Sequence, residues 1–183
     1  MRRLGVIASG QDPLETEIDD ALVALKGLYQ RLITEGTLGS ITDVIATPGV
    51  FNAPENSRVL RNDPATVTIN LPETVTDCGV ERPPLSGAVI VIADTFSGVT
   101  ATHIYDGELR RWLIIETLDR TAVAPLAERD VNGLASLLAL ELADEYGQEP
   151  GPVTTGSALR FQASLAADFS RPVPTVPRPE AYF

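Results

Sequence analysis

A chain of 183 residues with 44% apolar and 21% charged residues can bury a real core, roughly 70% of its unfolded surface, and is too apolar for general disorder. Its 25 acidic against 14 basic residues give a formal charge of −11, which excludes a broad phosphate-gripping surface but suits a wall past which DNA slides. Cys78 and His103 are the single cysteine and the single histidine, so no intrachain disulfide, cysteine-rich metal site or multi-histidine centre is possible.

The chain begins Met1-Arg2-Arg3-Leu4-Gly5-Val6-Ile7-Ala8, two basic residues before a short apolar run. That run is shorter than a signal-peptide core, and no stretch approaches the ~20 residues of a membrane span. Synthesis and assembly in a reducing cytoplasm, with no membrane partner, are the expectation.

Asp12 to Gly36 reads as one long helix, about 35 Å at the standard rise. Asp12 offers an N-cap carboxylate, Pro13 sits where its missing N–H costs nothing, and Gly36 stops the helix. Leu14, Ile18, Leu22, Leu25, Leu28 and Leu32 recur at three- and four-residue steps and form its apolar stripe. Glu15, Glu17, Asp19 and Asp20 crowd its first turns. They read either as a solvated face that complements the helix dipole or as an acidic surface turned toward a basic partner, a subunit neighbour or a DNA channel.

Thr37 to Pro54 reads as a linker broken by Pro48, Gly49 and Pro54, in which Ile41, Val44 and Ile45 fit a short strand or a helical turn equally well. Strand character is clear in Ser57–Arg61 and in Thr66–Leu71, where Val67, Ile69 and Leu71 alternate with polar residues. Thr74 to Gly87 reads as a loop. Ala88–Ala93 is apolar on both faces, as a central covered strand must be. Thr100–Tyr105 and Arg111–Thr117 come next as strands joined by the Gly-containing turn Asp106–Arg110. Their spacing predicts an antiparallel sheet or a small sandwich.

Helical patterning returns from Asp130 to Gly147 and, after the breaker Pro150-Gly151-Pro152, from Val153 to Phe169. Arg171 to Phe183 carries Pro172, Pro174, Pro177 and Pro179 and must be extended. Low ordering entropy and the terminal aromatics Tyr182 and Phe183 suit it to docking in a groove on a neighbour. The expected fold is therefore α+β, a helical bundle of N- and C-terminal helices with an inserted antiparallel β-sheet or sandwich lobe and an extended C-terminal tail. The expected division is 1–54 for the first helix and its linker, 55–120 for the β lobe, 121–170 for the C-terminal helices and 171–183 for the tail.

Asp94, His103 and Asp106 are the one set that imitates a catalytic or metal centre, but nothing local brings a nucleophile to the histidine. His103 is better read as a strand residue and Asp106-Gly107 as turn chemistry, as are Ser9-Gly10 and Ser97-Gly98. No catalytic residue, cofactor or metal is expected.

Leu4-Gly5-Val6 followed by Leu14 to Gly36, with Asp20-Ala21-Leu22, Leu28-Tyr29 and Glu35-Gly36 in place, resembles the N-terminal part of head-to-tail adaptor proteins of tailed bacteriophages. Gly133-Leu134-Ala135 through Glu145-Tyr146-Gly147 is similar to a helix end of the same family. Together these cover about a third of the chain. A helix that often precedes Leu-Gly-Val is missing, and the β block is larger than in the smallest adaptors.

The resemblance implies a virion structural protein of the head–tail neck, of the head-completion or packaged-DNA-stabilisation type. Such a protein forms a homo-oligomeric ring, usually of about twelve copies, a dodecamer. The ring would sit beneath the portal protein, extend the DNA channel without binding DNA specifically and receive the next tail or neck component. Portal docking would fall to Arg171, Pro172, Val173, Pro174, Val176, Pro177, Arg178, Pro179, Tyr182 and Phe183, by position and character. The competing expectation is a non-catalytic binding module that recognises a ligand or protein through its exposed β lobe.

Overall fold

The computed structural model describes residues 12–39, 41–63, 65–122 and 124–169. The Leu4-Gly5-Val6 end and the whole Arg171–Phe183 segment, with every residue assigned to portal docking, lie outside the described residues.

The first helix, α1 (Glu15–Thr34), starts later than Asp12. Leu14, not Asp12, is the N-cap, and its N–H donates to Glu17 Oε2 at 2.8 Å. A glutamate three residues into the helix thus satisfies a free amide at the end that Asp12 was expected to cap. At the other end Gly36 adopts φ +71°, its N–H donates to Ile33 O at 3.0 Å, and the Thr37 N–H donates to Leu32 O at 2.9 Å. This Schellman pairing needs a residue free of Cβ strain at that position.

Among the described residues nine strands lie between α1 and the last two helices: β1 (Thr42–Ala46), β2 (Gly49–Asn52), β3 (Ser57–Arg61), β4 (Val67–Asn70), β5 (Val75–Asp77), β6 (Val80–Arg82), β7 (Val89–Asp94), β8 (Thr100–Asp106) and β9 (Arg111–Ile114). The main sheet has the order β1-β3-β7-β8-β9. It is mixed rather than antiparallel throughout, because β1, β3 and β7 pair in parallel while β8 and β9 are antiparallel to their neighbours. Links of two and four residues on either side of β2 explain the difference. With connections that short, β2 has to run back against β1 in a second layer, so β3 re-enters the main sheet in the direction of β1. β4 repeats the move and pairs in parallel with β2.

This back-and-forth path covers one face of the main sheet. Phe51 and Ile69 from the β2–β4 pair pack with Val59, Ile90, Ile92 and Trp112. The opposite face meets the helices α1, α2 (Val131–Glu145) and α3 (Pro152–Phe169). There Val89, Val91 and Ile104 share a core with Leu28, Tyr29 and Leu32 of α1, Leu134 and Leu137 of α2, and Phe161 and Leu165 of α3. β7, apolar on both faces in sequence, is accordingly buried on both sides. The core runs across the division between helical segments and β segments drawn from the sequence. A Cβ on Gly133 would overlap the Phe161 ring, so glycine permits the close approach of α2 and α3.

Two elements were hidden from the sequence. β2 begins at Gly49, whose φ of +113° uses the freedom that makes glycine look like a breaker. β5 and β6 form a hairpin inside the expected Thr74–Gly87 loop, turned by Cys78 and Gly79 at φ +53° and +79°. Both central residues have positive φ, the twist-matched form of a two-residue hairpin.

Candidate functional site

The acidic turns of α1 split into two environments. Arg120 lies alongside Asp19, its Nε donating to Oδ1 at 2.9 Å and its Nη2 to Oδ2 at 2.6 Å, and its Nη1 lies 3.8 Å from Glu15. The guanidinium hydrogen bond holds the Asp19 carboxyl below the usual range. Glu17 and Asp20 instead sit at the end where α1 meets the last turn of α2. The pKa of Tyr146 is pushed up there, first by desolvation and then by the carboxylates of Asp20, Glu17 and Glu145. The acidic surface therefore comprises Glu17 and Asp20 joined by Glu145, with the exposed Asp144 beside Glu145 in sequence. Charge balance at Asp19 and Glu15 comes from an arginine about a hundred residues away, which no local pattern reveals.

An open groove of about 330 Å³ lies between α1, α2 and α3, lined on the α1 side by Arg31 and the C-cap Glu35, away from Glu17 and Asp20. Its polar groups largely satisfy one another. Arg31 pairs with Glu141 and lies 3.8 Å from Glu35, while Gln162 Nε2 donates to Glu35 Oε2 at 3.4 Å.

The imitation catalytic set does not converge. Asp94 ends β7 and Asp106 ends β8, so the length of β8, about 20 Å, separates them. His103 and Asp106 are three apart on one strand and point to opposite faces of the sheet. His103 is buried, and that burial lowers its pKa and keeps the imidazole neutral near pH 7. Among the described residues no group of three or more His, Cys, Asp or Glu side chains is placed to hold a metal ion.

Each aspartate instead builds a turn. Asp94 Oδ1 accepts from the Phe96 and Ser97 amides at 3.0 and 3.4 Å, Oδ2 accepts from Ser97 Oγ at 2.6 Å, and Arg61 Nη2 lies 3.6 Å away. Those bonds, the serine hydroxyl first, hold its carboxyl low. The turn they stiffen presents Phe96 with 83% of its surface exposed. An aromatic held on a fixed turn loses little ordering entropy if a partner covers it. Phe96 was missed in the sequence, where Ser97-Gly98 read only as a turn; the Asp-x-x-Ser-Gly run around it was the available signal. Asp106 Oδ1 likewise accepts from the Glu108 and Leu109 amides at 2.9 and 3.0 Å. Its buried Oδ2 has no partner, nor has the buried Tyr29 Oη. Burial, and then the charge of Asp106, raises the pKa of Tyr29.

A comparison of the sequence with protein-family models finds no match, and a comparison with curated protein sequences finds none.

Proposed function

We propose that this chain is a bacteriophage virion structural protein, a head–tail adaptor that forms a homo-oligomeric ring beneath the portal and extends the DNA channel into the neck. The observation that carries this reading is the acidic end of the molecule, where Glu17 and Asp20 of α1 stand beside Glu145 of α2 without the arginine that balances Asp19. In a ring, a net charge of −11 per copy gives a wall that repels phosphate and lets DNA slide. The likeness of the α1 and α2 sequences to adaptor helices supports the same reading, and no catalysis belongs to it. Assembly in the host cytoplasm and a final place in the virion neck are part of the same proposal.

Native mass spectrometry of the chain with and without its portal, for the full length and for a chain ending at Ser170, tests this function. Binding in the portal's own copy number, lost on truncation, is the expected result. A monomer indifferent to both portal and truncation overturns it. Phe96 favours a second reading, a non-catalytic module that recognises a protein or ligand through the β region. In that case Phe96→Ser abolishes partner binding while tail truncation leaves it intact.

A further inference from the structure

We propose that copies of this chain join edge to edge, with β1 of one copy laid in parallel against β9 of the next, so that the main sheet continues across the subunit boundary. This rests on the homo-oligomeric part of the proposed function and not on the portal.

β1 and β9 are the two outer strands of the five-stranded sheet, and among the described residues neither has a second neighbour. A free edge presents a row of backbone donors and acceptors, and soluble proteins normally blunt it with short strands, charged side chains (lysine above all), proline or a bulge. β1 (Thr-Asp-Val-Ile-Ala) and β9 (Arg-Trp-Leu-Ile) are short and carry one charge each, of opposite sign, but neither lysine nor proline. The one carboxylate on β1, Asp43, already lies 3.8 Å from Arg58 of its own chain.

The direction and faces of the two edges fit. β1, β3 and β7 are mutually parallel, and β9 reaches that same direction through two antiparallel steps. A neighbour added by translation and rotation around a ring axis therefore meets β9 with its β1 in parallel. Val44 and Ala46 share the face of Val59, packed on the β2–β4 layer, and Trp112 shares that layer. Asp43 and Ile45 lie on the helix side, as do Arg111 and Leu113 through their pairing with Asp106 and Ile104.

Setting Asp43 beside Arg111 of the next copy then puts Val44 beside Trp112, Ile45 beside Leu113 and Ala46 beside Ile114. One pair is of opposite charge, three are apolar, and no residue changes face. Ile45, 61% exposed in the single chain, gains cover. Because the contact is head to tail, it generates a ring if the rotation closes and a filament if it does not.

Sedimentation velocity of the purified full-length chain over a micromolar to millimolar series tests the contact, with Asp43→Arg, Arg111→Asp, the double reversal and Ile45→Lys beside the unaltered chain. The expected result is association weakened about tenfold by either reversal, recovered in the double variant, and lost in Ile45→Lys. The outward-pointing amides of 42–46 and 111–114, those not bonded to β3 or β8, should become protected from exchange only as copies associate. Asp43, Arg111 and Ile45 are exposed, so the variants keep the single-chain fold, which circular dichroism checks.

A chain that stays monomeric throughout overturns the proposal. So does an oligomer indifferent to Arg111→Asp, which would place the contact elsewhere, for example β1 against β1. Portal binding by such a chain would leave the adaptor reading standing. Edge-dependent rings that ignore the portal would overturn that reading alone.

Discussion

Two turns at opposite ends of β8 are built on the same device and differ in one oxygen atom. After β7, Asp94 uses both carboxylate oxygens, on two amides, a serine hydroxyl and Arg61. After β8, Asp106 uses one oxygen on two amides and leaves the other buried without a partner. A buried polar atom without a partner carries its full desolvation cost, whereas a satisfied one stabilises its turn. The first aspartate therefore fixes a surface that exposes Phe96, and the second fixes its own turn while it carries a buried, unpartnered oxygen at an energetic cost.

The sign of an asparagine substitution separates the two. Asp94→Asn removes the charge that attracts Arg61 and weakens the acceptor for Ser97 Oγ, so the midpoint of thermal unfolding should fall by several degrees. An unchanged midpoint would mean that the turn does not depend on that carboxylate. The same carboxyl is held low in the folded chain, so its contribution is present above about pH 4 and is lost as pH falls through its folded value.

His103, on the strand between the two turns, gives the next largest effect. Its folded pKa is depressed, first by burial, so the unfolded chain takes up the proton first as pH drops. Stability should be complete above about pH 6.5 and decline below it. As His103 is the single histidine, a His103→Gln variant should flatten the pH 5–7 part of a chemical-denaturation series, and a slope that persists would refute this assignment.

Asp106→Asn should cost less than about 1 kcal/mol or even stabilise, because the amide keeps the Oδ1 acceptor and removes a buried charge whose second oxygen has no partner. Tyr29→Phe has the smallest expected effect. Removing a hydroxyl with no partner should leave denaturant stability within about 1 kcal/mol of the unaltered chain. A loss well beyond that would show that the phenol donates to Asp106 in solution, and the contrast between the turns would shrink.

The helices α1, α2 and α3, and the strands β3, β4, β7, β8 and β9, were legible because each is a matter of local period and punctuation. β2 and the β5–β6 hairpin were not. Their glycines and prolines signal a break in the chain, and the same residues also form the turns that bring short strands together. The acidic residues of α1 were legible as a cluster, but not their division. Asp19 is paired by Arg120, and Glu17 and Asp20 gain Glu145, through contacts more than a hundred residues apart in sequence.

Residue order by itself determines the three helices and the strands β3, β4, β7, β8 and β9, where most of them stop, that β7 lies at the centre, and that the protein is acidic. These properties depend on spacing, capping and composition, which act within a few residues. Folding in three dimensions set the direction of β1 and β3, the second β layer, the separation of His103 from both aspartates, and the placing of β1 and β9 as the outer strands of the main sheet among the described residues. Those depend on which distant segments bury one another, and a strand reads the same in sequence whichever way it runs in a sheet.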